Sequence, residues 1–215
     1  RVPNAMDGLP TVQSPVQPGA TFDYDFIVPD AGTYWYHPHV DSSTQVGYGL
    51  YGSLVVEDAA EPPIGDELVT VLSDISLTDA GALVPGDTQG GFGDFFGREG
   101  ETLLVNGRVR PRLLVRRGAP LRWRVINAAR ARYFKLVAEG LSLVRIAGDE
   151  GLASMSFVPK EIVLVPGERA EFYVVPKGDA GAVRTVEWQD ADRFHARPSI
   201  PRKPLFDVVL SEGPV

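Results

Sequence analysis

Residues 120–127 read PLRWRVIN, and this short stretch decides the fold class. Large apolar side chains such as Trp123 occupy every second position, and arginines occupy the positions between them. Because successive side chains of an extended chain point to opposite faces, this alternation is typical of a β-strand with one buried face. The pattern therefore predicts a strand whose apolar residues point inward and whose arginines, Arg122 and Arg124, point outward.

Similar stretches lie on both sides of this strand. No segment repeats apolar residues at helical spacing for three turns, and turn-forming residues separate the short apolar runs. The dipeptide Asn106-Gly107 is a strong signal for a tight β-hairpin. The second part of the chain is therefore predicted to be an all-β sandwich, with further strands near residues 68–72, 102–105, 133–138, 143–147, 161–165, 171–175 and 205–210.

The charge balance and composition exclude several classes of protein. The chain has 215 residues, with 21 Lys and Arg against 28 Asp and Glu, which gives a formal net charge of −7. An acidic chain with scattered arginines is a poor match for a phosphate backbone, so nucleic-acid binding is disfavoured. No apolar run approaches the roughly 20 residues that a membrane helix needs, so we expect no membrane span.

The chain contains no Cys and only three His. Disulfides, thiolate nucleophiles and Cys-ligated metal centres are therefore excluded within this sequence. His195 has no neighbouring histidine, so we expect a loop residue that binds no metal. Met6 and Met155 lack the Cys and His neighbours of a blue-copper site, and we expect them to be packing residues.

The first part of the chain contains fewer strand-like segments than the second. Residues 21–28 (TFDYDFIV) alternate and predict a half-buried strand, and two shorter apolar runs predict further strands. These strands are too few to close a sandwich on their own. Because residues 59–66 are small and Pro-rich, they are predicted to be a linker between a partial domain at 1–58 and a complete domain at 67–215.

His37 and His39 lie two residues apart, with Pro38 between them. On an extended backbone both side chains point to the same side, with Cα atoms roughly 6.6 Å apart. This separation suits one imidazole on each of two neighbouring metal ions better than two on one ion. Imidazole binds copper, zinc, iron or nickel, but two histidines complete none of these sites. The spacing alone is also compatible with a polar strand end that binds no metal.

Ordered segments of the chain resemble one known family. GTYWYHPHVDSSTQVGYGLYGSLVVED (Gly32–Asp58) resembles the second copper motif of the multicopper oxidases, the laccase-like blue oxidases. RVPNAMDGLPTVQSPVQPGATFDYDF (Arg1–Phe26) resembles the stretch after the family's first motif, H-W-H-G-L. LLVNGRVRPRLLVRRGAPLRWRVINAARARYFKL (Leu103–Leu136) and VPGERAEFYVV (Val165–Val175) resemble its copper-free middle domain. The resemblance implies cupredoxin-like Greek-key β-sandwiches, one partial and one complete.

The same resemblance implies roles for three residues. His37 and His39 would each bind one copper of the type 3 pair in a trinuclear cluster, and imidazole needs no deprotonation to do so at neutral pH. Asp7 matches an acidic residue near the family's type 2 copper, where a catalytic carboxylate assists proton delivery to oxygen. The sequence equally permits a simple Asp-Gly turn at Asp7.

The family's H-W-H motif would precede Arg1, and its last cupredoxin domain, with the blue-copper Cys, would follow Val215. We therefore expect an internal segment, comprising the latter part of domain 1 and domain 2, that is inactive alone. The missing N-terminal segment and C-terminal domain of the same protein would supply the remaining copper ligands.

The expected function is that of a laccase-like multicopper oxidase. Such an oxidoreductase couples one-electron oxidation of phenolic, amine or metal-ion donors to four-electron reduction of O2 to water, and the family resemblance implies an extracytoplasmic location, periplasmic or secreted. The alternative is a copper-free structural or scaffold relative, which the presence of both His37 and His39 disfavours. A two-domain copper nitrite reductase would carry a Cys beside a His in its first domain, and this chain has no Cys.

Overall fold

The computed structural model describes residues 2–61, 63–84, 97–178, 180–186 and 203–212. In this part of the chain, helix is confined to a 3-10 helix (Asn4–Met6) and the six-residue α1 (Ser42–Gly47). The described strands are β1 (Gly32–Tyr36), β2 (Gly52–Val56), β3 (Asp66–Ile75), β4 (Thr102–Val105), β5 (Arg112–Arg116), β6 (Leu121–Asn127), β7 (Phe134–Glu139), β8 (Leu141–Gly148), β9 (Gly151–Phe157), β10 (Ile162–Leu164), β11 (Arg169–Pro176), β12 (Ala180–Val186) and β13 (Lys203–Ser211).

Strands β3 to β13 form two sheets. One sheet has the order β4-β3-β6-β11-β8-β9, and the other has the order β10-β7-β12-β13-β5. Neighbouring strands are antiparallel except for β3 with β6 and β5 with β13, which run parallel. The two sheets share one core of buried apolar residues, as in a β-sandwich. The all-β expectation is confirmed.

The core of the sandwich is centred on Trp123 of β6. Its ring packs against Phe172 of the neighbouring strand β11, with centroids 5.4 Å apart, and against Phe206 of the opposite sheet, with centroids 5.6 Å apart. The indole Nε1 donates a hydrogen bond to Oγ1 of Thr70 at 2.8 Å, so the polar atom of this buried ring is satisfied. The predicted inward orientation of Trp123 is therefore confirmed.

The predicted hairpin at Asn106-Gly107 is wrong in its connection, although the tight turn itself is present. Both residues have the positive φ angles, 50° and 72°, that such a turn requires. However, β4 pairs with β3, whereas β5 pairs with β13 of the other sheet. The turn therefore carries the chain from one sheet to the other. Local turn chemistry sets the bend but not the partner of the strand that follows.

The first part of the chain contributes β1 and β2, which form a separate two-stranded antiparallel sheet. The predicted strand at residues 21–28 is wrong: this segment has no strand assignment, and its Ile27 side chain is 87% exposed. A strand exists only through hydrogen bonds to a neighbouring strand. No described segment pairs with residues 21–28, so an alternating pattern alone does not make a strand here.

Arg122 and Arg124 lie on the side of β6 opposite to the core, but they are not exposed. Every residue of β6 is buried, because β1 packs across this outer face of the six-stranded sheet. The predicted outward direction of the two arginines relative to the core is correct, although an outward side chain is not exposed to solvent here. Alternation identifies the two faces of a strand, whereas the element that covers each face is decided by the rest of the fold.

Candidate metal centre

His37 and His39 follow directly after the last residue of β1. Three rings on alternate positions stack in sequence: the centroids of Trp35 and His37 are 4.5 Å apart, and those of His37 and His39 are 4.9 Å apart. Both histidine rings therefore lie on the same side of the chain, as their spacing predicts. Pro38 between them donates no backbone hydrogen bond, which agrees with a strand that ends at Tyr36.

One nitrogen of the His37 ring faces its own backbone. Nδ1 lies 3.2 Å from the carbonyl oxygen of Pro38, a distance at which a protonated Nδ1 donates to that oxygen. With Nδ1 protonated, the lone pair of the ring is on Nε2, which is then the nitrogen available to a metal ion. Both histidine residues are half-buried, so part of each side chain remains accessible from outside the core.

The segment that carries Asp7 lies beside His39. The 3-10 helix Asn4–Met6 ends at Asp7, and the backbone then turns through Gly8 with φ of 79°. A Cβ atom on Gly8 would lie 3.5 Å from Cδ2 of His39, so Gly8 faces this ring, and a larger residue here would touch it. The Asp7 side chain is exposed. The fold therefore places the residue after Asp7 beside His39, although the two segments are far apart in the sequence.

Helix α1 begins three residues after His39 and is tied to the sandwich. Arg130, which follows β6, donates from Nη2 to Oγ of Ser43 at 2.9 Å, and its side chain packs against Gly47. Gln45 Nε2 donates to the carbonyl oxygen of Val40. These contacts hold the chain directly after the histidine pair.

A buried charged cluster holds the start of β1, and sequence reasoning did not identify it. Glu171 of β11 is fully buried and accepts from Arg122 at 2.6 Å and from Arg124 at 2.7 Å. Thr33 Oγ1 donates to Glu171 Oε1 at 2.6 Å. Burial alone lowers the pKa of Arg122, but the hydrogen bonds and charges of Glu171 and Glu61 together outweigh it and raise that pKa above its ordinary value. The sequence does contain a signal for this cluster: in the strand sequence RAEFYVV, a Glu lies among apolar residues, and a charged residue in such a strand needs a partner if it is buried.

The donor chemistry of the histidine pair fits copper as part of a site. Two neutral imidazoles on one side of the chain are ligands that copper accepts. Among the described residues, no group of three or more His, Asp and Glu is close enough to hold a metal ion. The pair therefore needs further ligands to complete a centre. His195 lies in the range 187–202, outside the described residues.

Comparisons with known proteins point to one family for this chain. The family profile described as multicopper oxidase matches residues 1–61, the part that carries Asp7 and the histidine pair. The solved structure of a multi-copper oxidase from Pseudomonas thermotolerans aligns with the whole chain at 30% identity and a TM-score of 0.80. The chain belongs to the multicopper oxidase family.

Two curated relatives of this multicopper oxidase chain carry different names. Cell division protein FtsP of Salmonella typhimurium is 34% identical over 73% of the chain, and Laccase-1 of Cryptococcus neoformans is 25% identical over 97% of it. The chain spans 34% and 35% of the lengths of these relatives, and 51% of the Pseudomonas oxidase chain. No helix in the described part of the chain is long and apolar enough to cross a membrane.

Proposed function

We propose that this chain is part of a laccase-like multicopper oxidase, in which His37 and His39 each bind one copper of a type 3 pair. The observation that supports this proposal is the position of the two rings, side by side on one face with centroids 4.9 Å apart. Facing rings direct neighbouring nitrogens toward adjacent metal positions. A strand end with no metal role has no need of this arrangement.

The residues of this chain would act in three ways. His37, with Nδ1 bonded to the Pro38 carbonyl, would bind through Nε2, and His39 would bind beside it. Asp7 would pass protons to oxygen bound near the pair. Trp35 would keep the His37 ring oriented by stacking on it. Bound copper would supply the reversible one-electron redox chemistry that passes electrons to O2.

The same proposal covers the rest of the protein. The remaining copper ligands would come from an H-W-H segment and a further cupredoxin domain, and O2 and a small phenolic, amine or metal-ion donor would be the substrates. We further propose that residues 1–58 and 67–215 are parts of two cupredoxin domains joined by a linker at 59–66. A periplasmic or secreted location follows from the family assignment.

The experiment is to replace each histidine in the full-length protein. We expect His37→Ala and His39→Ala to abolish O2 consumption with a phenolic donor and to lower the copper content, while the blue absorption remains, because its copper would have ligands in another domain. His195→Ala is the matched control and should leave all three measurements unchanged. Normal O2 consumption in either single mutant would overturn the proposal. A wild-type protein that takes up no copper would support the scaffold alternative instead.

A further inference from the structure

We propose that Thr33 and Glu171 are positioning residues for the histidine pair: through their hydrogen bond they set the rotation of β1, and with it the direction of the His37 and His39 rings. This inference rests on the proposed function only in assigning copper to the two rings. The placement of the rings themselves is a property of this chain alone.

The first step is the shared face of β1. Thr33 and Trp35 occupy alternate positions of β1, and the rings of Trp35, His37 and His39 stack in that order. A rotation of the strand about its axis therefore displaces the stacked rings relative to the rest of the protein. Strand β1 pairs only with β2 in the described part of the chain, and an isolated two-stranded sheet is marginally stable. The orientation of β1 therefore depends on its contacts with the sandwich.

The second step is the number of bonds that converge on Thr33, which is 1% exposed. Its hydroxyl donates to Glu171 at 2.6 Å and accepts from Arg124 Nη1 at 3.1 Å. Its carbonyl oxygen accepts from Arg169 Nε, also at 3.1 Å. Side chain and backbone of one residue are thus held by two strands of the sandwich, β6 and β11.

The third step is the rigidity of the anchor. Glu171 is held by Arg122 and Arg124, and these arginines also contact Glu61 at 2.8 Å and Glu67 at 2.8 Å respectively. Guanidinium groups present their donors in a fixed planar fork, so each carboxylate oxygen has a defined position. Buried ion pairs of this kind contribute little net stability, and fixing one geometry is their best-attested use.

The fourth step is a second contact between the sandwich and β1, two residues closer to the site. The turn between β10 and β11 approaches Trp35, since a Cβ atom on Gly167 would lie 3.8 Å from Cζ2 of the indole. The Trp35 ring also stacks on the His37 ring, with centroids 4.5 Å apart. Strand β11 and the turn before it thus contact β1 at Thr33 and at Trp35, and Trp35 in turn contacts His37.

The test compares Thr33→Val, which keeps the shape and removes the hydroxyl, with Thr33→Ser, which keeps the hydroxyl, in the full-length protein. In the copper-free protein, we expect the nuclear Overhauser effect between the Gly8 Hα protons and the His39 ring protons, which belong to different segments, to weaken in Thr33→Val and to be restored in Thr33→Ser. In the copper-loaded protein, we expect Thr33→Val to release copper to a chelator roughly tenfold faster, with Thr33→Ser close to wild type. Thr21→Val, at an exposed threonine, is the matched control.

A Thr33→Val protein with wild-type ring contacts and wild-type copper release would overturn the inference. If Thr33→Val does not fold, Arg169→Lys keeps the charge and removes the bond from Nε to the Thr33 carbonyl, together with the other guanidinium bonds to Gly167 and Asp149, and the same two measurements apply to it. Failure of the proposed function gives a different result from failure of this inference. If only the proposed function is wrong, the wild type binds no copper at the pair, but the ring contacts in the copper-free protein still change in Thr33→Val.

Discussion

Gly8 faces the imidazole ring of His39: a Cβ atom at this glycine would lie 3.5 Å from Cδ2 of the ring. The two residues are 31 positions apart in the sequence, and Gly8 has a positive φ of 79°, a conformation that glycine adopts at no steric cost. Asp7 is the residue before Gly8, and its side chain is exposed. The proposed proton relay requires a carboxylate in this position, open to solvent and close to the pair.

Replacing Asp7 should slow oxygen reduction without removing copper. We expect Asp7→Asn in the full-length protein to lower the rate of O2 consumption by roughly a hundredfold, the usual contribution of a positioned general acid or base, because an amide cannot relay a proton. Copper content should stay at the wild-type value. An oxygen electrode and atomic absorption measure the two quantities. Asp23→Asn, at another exposed carboxylate, is the control, and an Asp7→Asn enzyme as fast as this control would contradict the role.

The 215-residue chain on its own should not be an oxidase. It has one pair of histidines and no Cys, so added Cu(II) should produce no blue absorption, and a phenolic donor should not be oxidised. Weak copper binding at the pair is the most that we expect, and His37→Ala should remove it. Absorption spectroscopy and a phenol oxidation assay check this. Steady turnover by the pure chain would mean that ligands outside it are not needed.

Removing the charge of Arg98 should stabilise the protein. This residue is 2% exposed, and within the described part of the chain its Nε and Nη1 atoms have no hydrogen-bond partner. Burial and the charge of Arg98 also lower the pKa of the neighbouring Arg130, so two cations are held close together. An unsatisfied buried donor costs about 1–3 kcal/mol. We therefore expect Arg98→Met to increase the free energy of unfolding by about 1 kcal/mol.

This increase should appear as a rise of about 2 °C in the thermal midpoint, measured by calorimetry. Arg112→Met, at an exposed arginine of β5, is the matched control and should change the midpoint little. A lower midpoint for Arg98→Met than for this control would show that the guanidinium contributes favourably to the folded state.

Several features of this protein follow from its sequence alone. The alternation around Trp123 is sufficient to predict a strand with that ring in the core, because a strand repeats every two residues. The same period predicts that the rings of His37 and His39 lie on one side. The family is also readable from the motifs around them. These features depend on residues close together in the chain, where local geometry limits the outcome to very few arrangements.

The tertiary structure decided what covers each face and which distant segments meet. Arg122 and Arg124 are buried because β1 crosses their face of the sheet, and residues 21–28 form no strand because no described segment pairs with them. The bond between Thr33 and Glu171 joins residues 138 positions apart. The sequence pattern of a strand specifies which side chains lie on each of its two faces. The free energy gained by pairing and burial depends on the neighbouring segment, and which segment that is depends on how the whole chain packs.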